Sequence, residues 1–555
     1  VVSFTSPLQA AFHGKYRNPV RPGDFPDPSV IRVGPSTGSG QLRSSFYAVT
    51  TSTDWAPFFP IFKSTDLVDW ELVGHVFAER PDWCAGNFWA PDFAERDGRF
   101  YVYYTARRKD GGLCVAVATA DRPEGPYLDH GPLIGQRFGS IDAMAADDGN
   151  GDRWLLWKED GNAHDRPTPI WAQRLSGDGL VLLGEPVELL RNDAAWEGRL
   201  VEAPHVIRRN GWFYMFYSGN ACCGEDCAYA VGVARARALT GPWEKCPANP
   251  ILASNEAFRC PGHGSPVDDG KGNWYYLYHA YEARPDAIYV GRQLCLDAIT
   301  WNPDGWPAIN GGRGPSRSGD APFGFGVGRQ HAGRARWSAD FGTAALDRGW
   351  QWPQSAAPGM ALDHGSLVLT AALPRRGRDD LAAVAARTVT TGDYVATAVV
   401  DVREQGPGTT ASLCVYGSRR DALGIGVHDG IATVWRRRGG HLVELALAPA
   451  GRDKVHLRVT ALEGRAYRFA FSRDGKSWMT LGGRLDGSWL PPWDAGVRVA
   501  LAVGGVTGAS ARFTAMRFEP ALAEVTRISE RGTKRRRLAE MLAKVAPARA
   551  LAARG

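Results

Sequence analysis

Between residues 18 and 318 the chain alternates short aromatic and β-branched runs with turns rich in Gly and Asp, and the alternation is periodic. Aromatic runs begin at Phe46 (FYAVTTS), Phe100 (FYVYYTA), Trp154 (WLLWKED), Trp212 (WFYMFYSG) and Trp274 (WYYLYHAY), a spacing of roughly 50 to 60 residues that suits one four-stranded blade. Five copies predict a five-bladed β-propeller. The turn signals RDGR, DDGNGD, RRNG and DGKGN fit the tight antiparallel hairpins such blades require, and helical periodicity is nearly absent. Ahead of the runs lie Asp27 in FPDPS, Asp92 in WAPDF, Asp142 in SIDAM, Glu202 in VEAPH and His263 in PGHGS. In a radial array, equivalent positions of successive blades meet at the axis, so these polar residues are expected together in one pocket.

The texture changes after a Gly- and Arg-rich stretch. From Trp337 to Pro520 the segments SLVLTAAL, YVATAVVDV, IATVWRRR, VHLRVTAL and YRFAFSRDG alternate with period two and show no blade repeat, which predicts a two-sheet β-sandwich. The fold class expected is all-β: an N-terminal arm (1–18), a propeller (19–318), a linker (319–336), a jelly-roll or concanavalin-like sandwich (337–520) and a basic, helical, solvated tail (521–555).

Composition narrows the function classes. Hydrophobic content of 44% and charged content of 22% describe a globular chain without a run long enough to cross a bilayer. The net charge of +6 is partly local, because KRRR and its neighbours lie near the end of the chain; neither a nucleic-acid nor a membrane partner is expected, and oligomeric state is left open. The 20 Trp, 17 Tyr and 22 Phe are a heavy load that serves blade interfaces and sugar platforms alike. Nine cysteines cannot all pair within one chain. Cys222, Cys223 and Cys227 cluster in ACCGEDC, where a local disulfide, buried thiols or a zinc site are the readings. The chain opens at Val1 without a charged and apolar leader, so either an export segment has been removed or the protein is intracellular; a secreted or periplasmic location is the expectation.

A ring of carboxyl groups suits glycoside hydrolysis by inversion. One carboxylic acid protonates the leaving oxygen while a carboxylate about 6.5 to 9.5 Å away deprotonates water on the opposite sugar face. A third carboxylate can raise the acid's pKa by like-charge repulsion. The runs NPVRPGDFPDPSVIRVG, FPIFKSTDLVDWELVG, NFWAPDFAERDGRFYVYYTA, GSIDAMAADDGNGDRWLLWKED, VEAPHVIRRNGWFYMFYSG and PGHGSPVDDGKGNWYYLYHAY, in this order, resemble successive signatures of glycoside hydrolase family 43. Members are five-bladed propellers that hydrolyse β-xylosides and α-L-arabinofuranosides by inversion, and the region after Trp337 is similar to the concanavalin-like sandwich of β-xylosidase-type members.

The resemblance implies Asp27 as general base, Asp142 as pKa modulator and Glu202 as general acid, with Asp92 in a structural hydrogen-bonding role. It implies Trp55, Phe59, Trp89 and Arg292 around the sugar. No cofactor is required for the chemistry, but His263 is implied as a ligand, direct or through water, of a structural calcium ion in the channel. The expected activity is exo-acting removal of terminal α-L-arabinofuranosyl or β-D-xylosyl units from a carbohydrate substrate. An endo-arabinanase, a β-galactofuranosidase and a non-catalytic carbohydrate-binding protein are the alternatives. SIDAMAADD lacks the Pro common after the modulator Asp, and ACCGEDC is an unusual insertion.

Overall fold

The computed structural model describes residues 14–34, 44–324, 336–372 and 379–521; residues 1–13 of the expected arm, most of the linker and the tail from 522 onward lie outside them. Five four-stranded antiparallel sheets follow one another. Their innermost strands are Ser29–Val33, Cys84–Arg96, Ser140–Asp147, Val201–Arg209 and Phe258–Asp268. Each packs against the next and the fifth returns to the first, which closes the ring of a propeller. Strands inside a blade are covered on both faces, so Leu113–Ala120 reads as the unbroken buried run LCVAVATA, whereas the outermost strand Leu128–Ile134 is largely half-exposed.

Two devices hold the ring shut. Lys15–Arg17 pairs with Ser318–Asp320, so the end of the expected arm and the start of the expected linker form one ribbon rather than free segments. Asn18 then bridges to blade 5: its Nδ2 donates to the Leu296 carbonyl at 2.8 Å and its Oδ1 accepts from Leu296 N–H at 2.9 Å. Closing a circular array needs pairing between chain-distant ends, which short-range patterning does not reveal.

The C-terminal sandwich consists of an eight-stranded and a six-stranded sheet. Alternation in Lys454–Leu462 sends Val455, Leu457, Val459 and Ala461 into a core shared with Leu413, Ile425 and Leu501. The sandwich is docked by buried polar contacts. Arg498 pairs with Asp24 at 3.1 Å with both side chains almost fully covered, Gly496 N–H donates to Asp24 Oδ2 at 3.0 Å, and Trp352–Pro353 forms a ribbon with Trp55–Ala56. Among the described residues no helix is long and apolar enough to cross a membrane.

Candidate active site

Each inner strand enters the axis through the same backbone irregularity. Asp27, Ala90, Asp142, Ala203 and His263 have φ of 56°, 39°, 56°, 57° and 39°, a left-handed conformation uncommon for residues other than glycine. In blades 2 to 5 it coincides with register shifts, the signature of a bulge that re-aims side chains. Asp27, Asp142 and His263 therefore occupy equivalent positions, while Glu202 sits one residue before its blade's equivalent, Ala203. Asp92 sits two residues beyond Ala90. Its carboxylate accepts from Ser29 Oγ of blade 1 and Ala145 N–H of blade 3, each at 3.0 Å, so it stitches three blades together below the pocket.

Asp27 lies in a cationic socket. Its Oδ1 is 3.0 Å from Arg292 Nη1, 3.2 Å from His279 Nδ1 and 3.5 Å from His263 Nδ1, and its Oδ2 accepts from Thr51 Oγ1 at 2.7 Å. Burial pushes this carboxyl up, but the Arg292 guanidinium, followed by His263, more than offsets it and holds Asp27 well below the usual carboxylate range. His279 Nδ1 accepts the Asp27 backbone N–H at 3.1 Å, and burial lowers its own pKa to about 4, so at neutral pH this imidazole is neutral and orients the loop.

Asp142 and Glu202 behave oppositely. Burial, joined by the charges of Glu202 and Asp27 and opposed by His263 and Lys158, raises Asp142 to about 7. Burial also raises Glu202, but Lys158 reverses this: its Nζ donates to Glu202 Oε2 at 2.7 Å and to Asp160 Oδ1 at 2.9 Å, and Tyr229 Oη donates to Glu202 Oε1 at 2.8 Å. Sequence reasoning placed the proton on Glu202 through repulsion from Asp142. The Lys158 ammonium instead holds Glu202 below its usual range, and Asp142 is the carboxyl of the pair that is raised. The proton shared by this pair is lost as pH rises through about 7, so kcat/KM is expected to fall above that pH. Lys158→Met removes the cation that keeps Glu202 ionised; the alkaline limb should move up by about one unit or more, as a pH series of kcat/KM would register.

These groups line one pocket of about 470 Å³ with Trp89, His263 and Arg292. The sandwich contributes Trp493 and Asp494 to the same wall. Trp493, 64% exposed, meets Trp89 edge-on at 6.1 Å, and the Asp494 carbonyl accepts from Arg292 Nη2 at 3.0 Å. Trp55 and Phe59 do not reach the sugar site. Phe59 is fully buried among Phe77, Phe88 and Tyr104 at a blade interface, and Trp55 is covered by the sandwich, under Arg498 and against Tyr416. An aromatic near a motif carries no sign of the docked sandwich that covers Trp55 or of the neighbouring blade that covers Phe59.

His263 stands in the channel with Asp27 on one side and Asp142 Oδ2 at 3.9 Å on the other. Among the described residues no three His, Cys, Asp or Glu side chains are arranged to hold a metal ion. Calcium takes six to eight oxygen ligands, and the donor set here does not fit a directly ligated ion. Lys158, Tyr229, His279 and Trp493 went unnoticed in the sequence. A charged residue closing the apolar run WLLW and a His inside WYYLYHAY were the available signals for two of them.

A propeller that gathers carboxyl groups from three blades into a pocket walled by a sandwich defines a carbohydrate-cleaving class. The chain belongs to glycosyl hydrolases family 43, whose model matches residues 16–307, and the beta xylosidase C-terminal concanavalin A-like domain matches 338–519. It is 28% identical to xylosidase/arabinosidase 43B of Humicola insolens, over 85% of this chain and 89% of that one. It is 31% identical to a xylosidase/arabinosidase of Butyrivibrio fibrisolvens, over 54% of this chain and 57% of that one. The solved GH43 protein BlXynB of Bacillus licheniformis superposes with a TM-score of 0.76 at 25% identity, covering 91% of this chain and all of that one. The protein is thus a glycoside hydrolase rather than a non-catalytic binding protein.

Proposed function

We propose that the protein is an inverting exo-glycosidase that removes terminal β-D-xylosyl or α-L-arabinofuranosyl units from oligosaccharides or polysaccharides. The observation that carries this reading is the opposed state of two carboxyl groups in one pocket: Asp27 held ionised by Arg292, and Glu202 paired with a proton-bearing Asp142. Asp27 takes a proton from the attacking water. Glu202 delivers a proton to the glycosidic oxygen on the other face, once the proton it shares with Asp142 resides on it in the substrate complex. Arg292 neutralises Asp27 and positions it.

The sugar assignment is supported by the names of the two relatives, both xylosidase/arabinosidase. Exo action is supported by the sandwich loop that places Trp493, edge-on against Trp89, and Asp494 in the pocket wall, so that a second domain bounds the site. Two disulfides suit an oxidising compartment, which supports a secreted or periplasmic location. Trp493→Ala should raise KM about fivefold with kcat little changed, the loss of one aromatic contact worth about 1 kcal/mol.

The test is hydrolysis of the p-nitrophenyl glycosides of β-D-xylopyranose, α-L-arabinofuranose and β-D-galactofuranose, followed by product sizing on linear arabinan and xylan. Turnover of the first or second with monomer as the early polymer product is expected. Turnover of the galactofuranoside alone, or mixed oligosaccharides appearing first, would replace the assignment.

A further inference from the structure

Blade 4 carries an excursion between Trp212–Gly219 and Ala230–Ala236 that the chemistry above leaves largely unused. Its base is closed by Ala228 N–H donating to the Ala221 carbonyl at 3.0 Å, and beside that base its C-terminal arm is tied to the inner strand of blade 5 by the Cys227–Cys260 disulfide. Inside it, Cys222 and Cys223 are bonded to each other although adjacent in sequence. Both line the active-site pocket next to Ala221, Leu200 and Glu202. The other five cysteines are free and buried, so these two are the ones that face substrate space among the described residues.

A disulfide between neighbouring residues turns two titratable, hydrogen-bonding thiols into one compact apolar ring. Sulfur is polarisable and gains dispersion contacts readily, and a cross-linked pair has no rotamer freedom to lose when a ligand packs on it. Its place is also informative. Ser218 pairs with Glu202 across the blade, so the segment that leaves the sheet after Gly219 rises beside the proton donor, on the side where the leaving group departs. A Cβ at Gly224 would stand 3.7 Å from the Trp493 carbonyl, so the excursion and the sandwich loop form one continuous rim.

We propose that the Cys222–Cys223 disulfide is a specificity-determining wall of the leaving-group subsite, packing against the apolar face of the sugar or aglycone that departs. This rests on Glu202 as the proton donor. It requires the bond to be present in the native protein: alkylating the unfolded, unreduced protein should label Cys84, Cys114, Cys246, Cys295 and Cys414 and spare the other four. Label on Cys222 or Cys223 would overturn the proposal without any kinetic measurement.

The kinetic test compares wild type with Cys222→Ala/Cys223→Ala, and with the double Ser variant should the first fail to fold by thermal melting. For xylobiose or α-1,5-arabinobiose, KM should rise about fivefold with kcat within about twofold. The inhibition constant for D-xylose or L-arabinose, which fill only the terminal-sugar subsite, should not move. An unchanged KM, or KM and the inhibition constant rising together, would overturn the proposal. Should wild type cleave neither disaccharide, the functional reading fails, and calorimetric Kd values for the same disaccharides and monosaccharides decide the disulfide's role by the same two ratios.

Discussion

Glu202→Ala slows hydrolysis of unactivated disaccharides by roughly 10²–10⁴-fold, the usual contribution of a positioned general acid, while glycosides with nitrophenolate leaving groups lose far less. The asymmetry follows from what the residue supplies. An alkoxide departs only with a proton, whereas nitrophenolate departs nearly unaided, so the defect should scale with leaving-group pKa. The substitution also frees Lys158, whose ammonium retains Asp160 at 2.9 Å; the buried cation thus keeps one counter-charge, and the variant should remain folded. Kinetics on a series of aryl glycosides checks the point. An equal loss across the series would remove Glu202 from the acid's role and make Asp142, which carries the proton in the free protein, the next group to test.

Asp27→Ala has the second large effect, and it should fall on every substrate alike. Without a base the water attacks unassisted, and kcat should drop by roughly 10²–10⁴-fold whatever the leaving group. Stability should fall as well. Asp27 is the carboxylate nearest Arg292, whose guanidinium is buried and otherwise donates to a backbone carbonyl. Removing one partner of a buried pair costs about 3–5 kcal/mol, visible as a lower Tm. The pH dependence of this loss has a definite sign. Asp27 is depressed in the fold, so its contribution is present above the unfolded carboxylate range and disappears as pH falls through the folded value. The wild-type advantage over Asp27→Ala should therefore begin to shrink as pH falls below the unfolded carboxylate value of about 4 and go on shrinking into strong acid.

The features legible in the sequence share a physical origin. Strands of a blade are short, local and hairpin-connected, so their aromatic runs and turns recur at a spacing that can be counted. Asp27, Asp142 and Glu202 could be found because each precedes such a run. Their equivalence was less plain: the left-handed bulge places Asp27, Asp142 and His263 in register, with Glu202 and Asp92 offset, and no local pattern displays a backbone dihedral. What escaped depends on chain-distant contacts. Trp55 and Phe59 are aromatic residues near a motif in either case, and only the docked sandwich and the neighbouring blade decide that they are covered. Trp493 reaches the pocket from a second domain. The cysteine cluster was visible, but Cys260, the partner that pins it, lies on another blade. Lys158 matters most, because it alters which carboxyl group holds the proton, and its effect arises from burial that the run WLLWKED does not announce.

The most direct test of the central claim, that water activated by Asp27 attacks from the face opposite Glu202, is the stereochemistry of the first product. Proton NMR during the first turnovers of an aryl β-D-xyloside or α-L-arabinofuranoside, before mutarotation, should show the anomer inverted relative to the substrate. First appearance of the retained anomer would mean a covalent glycosyl intermediate and would contradict the roles assigned to both residues.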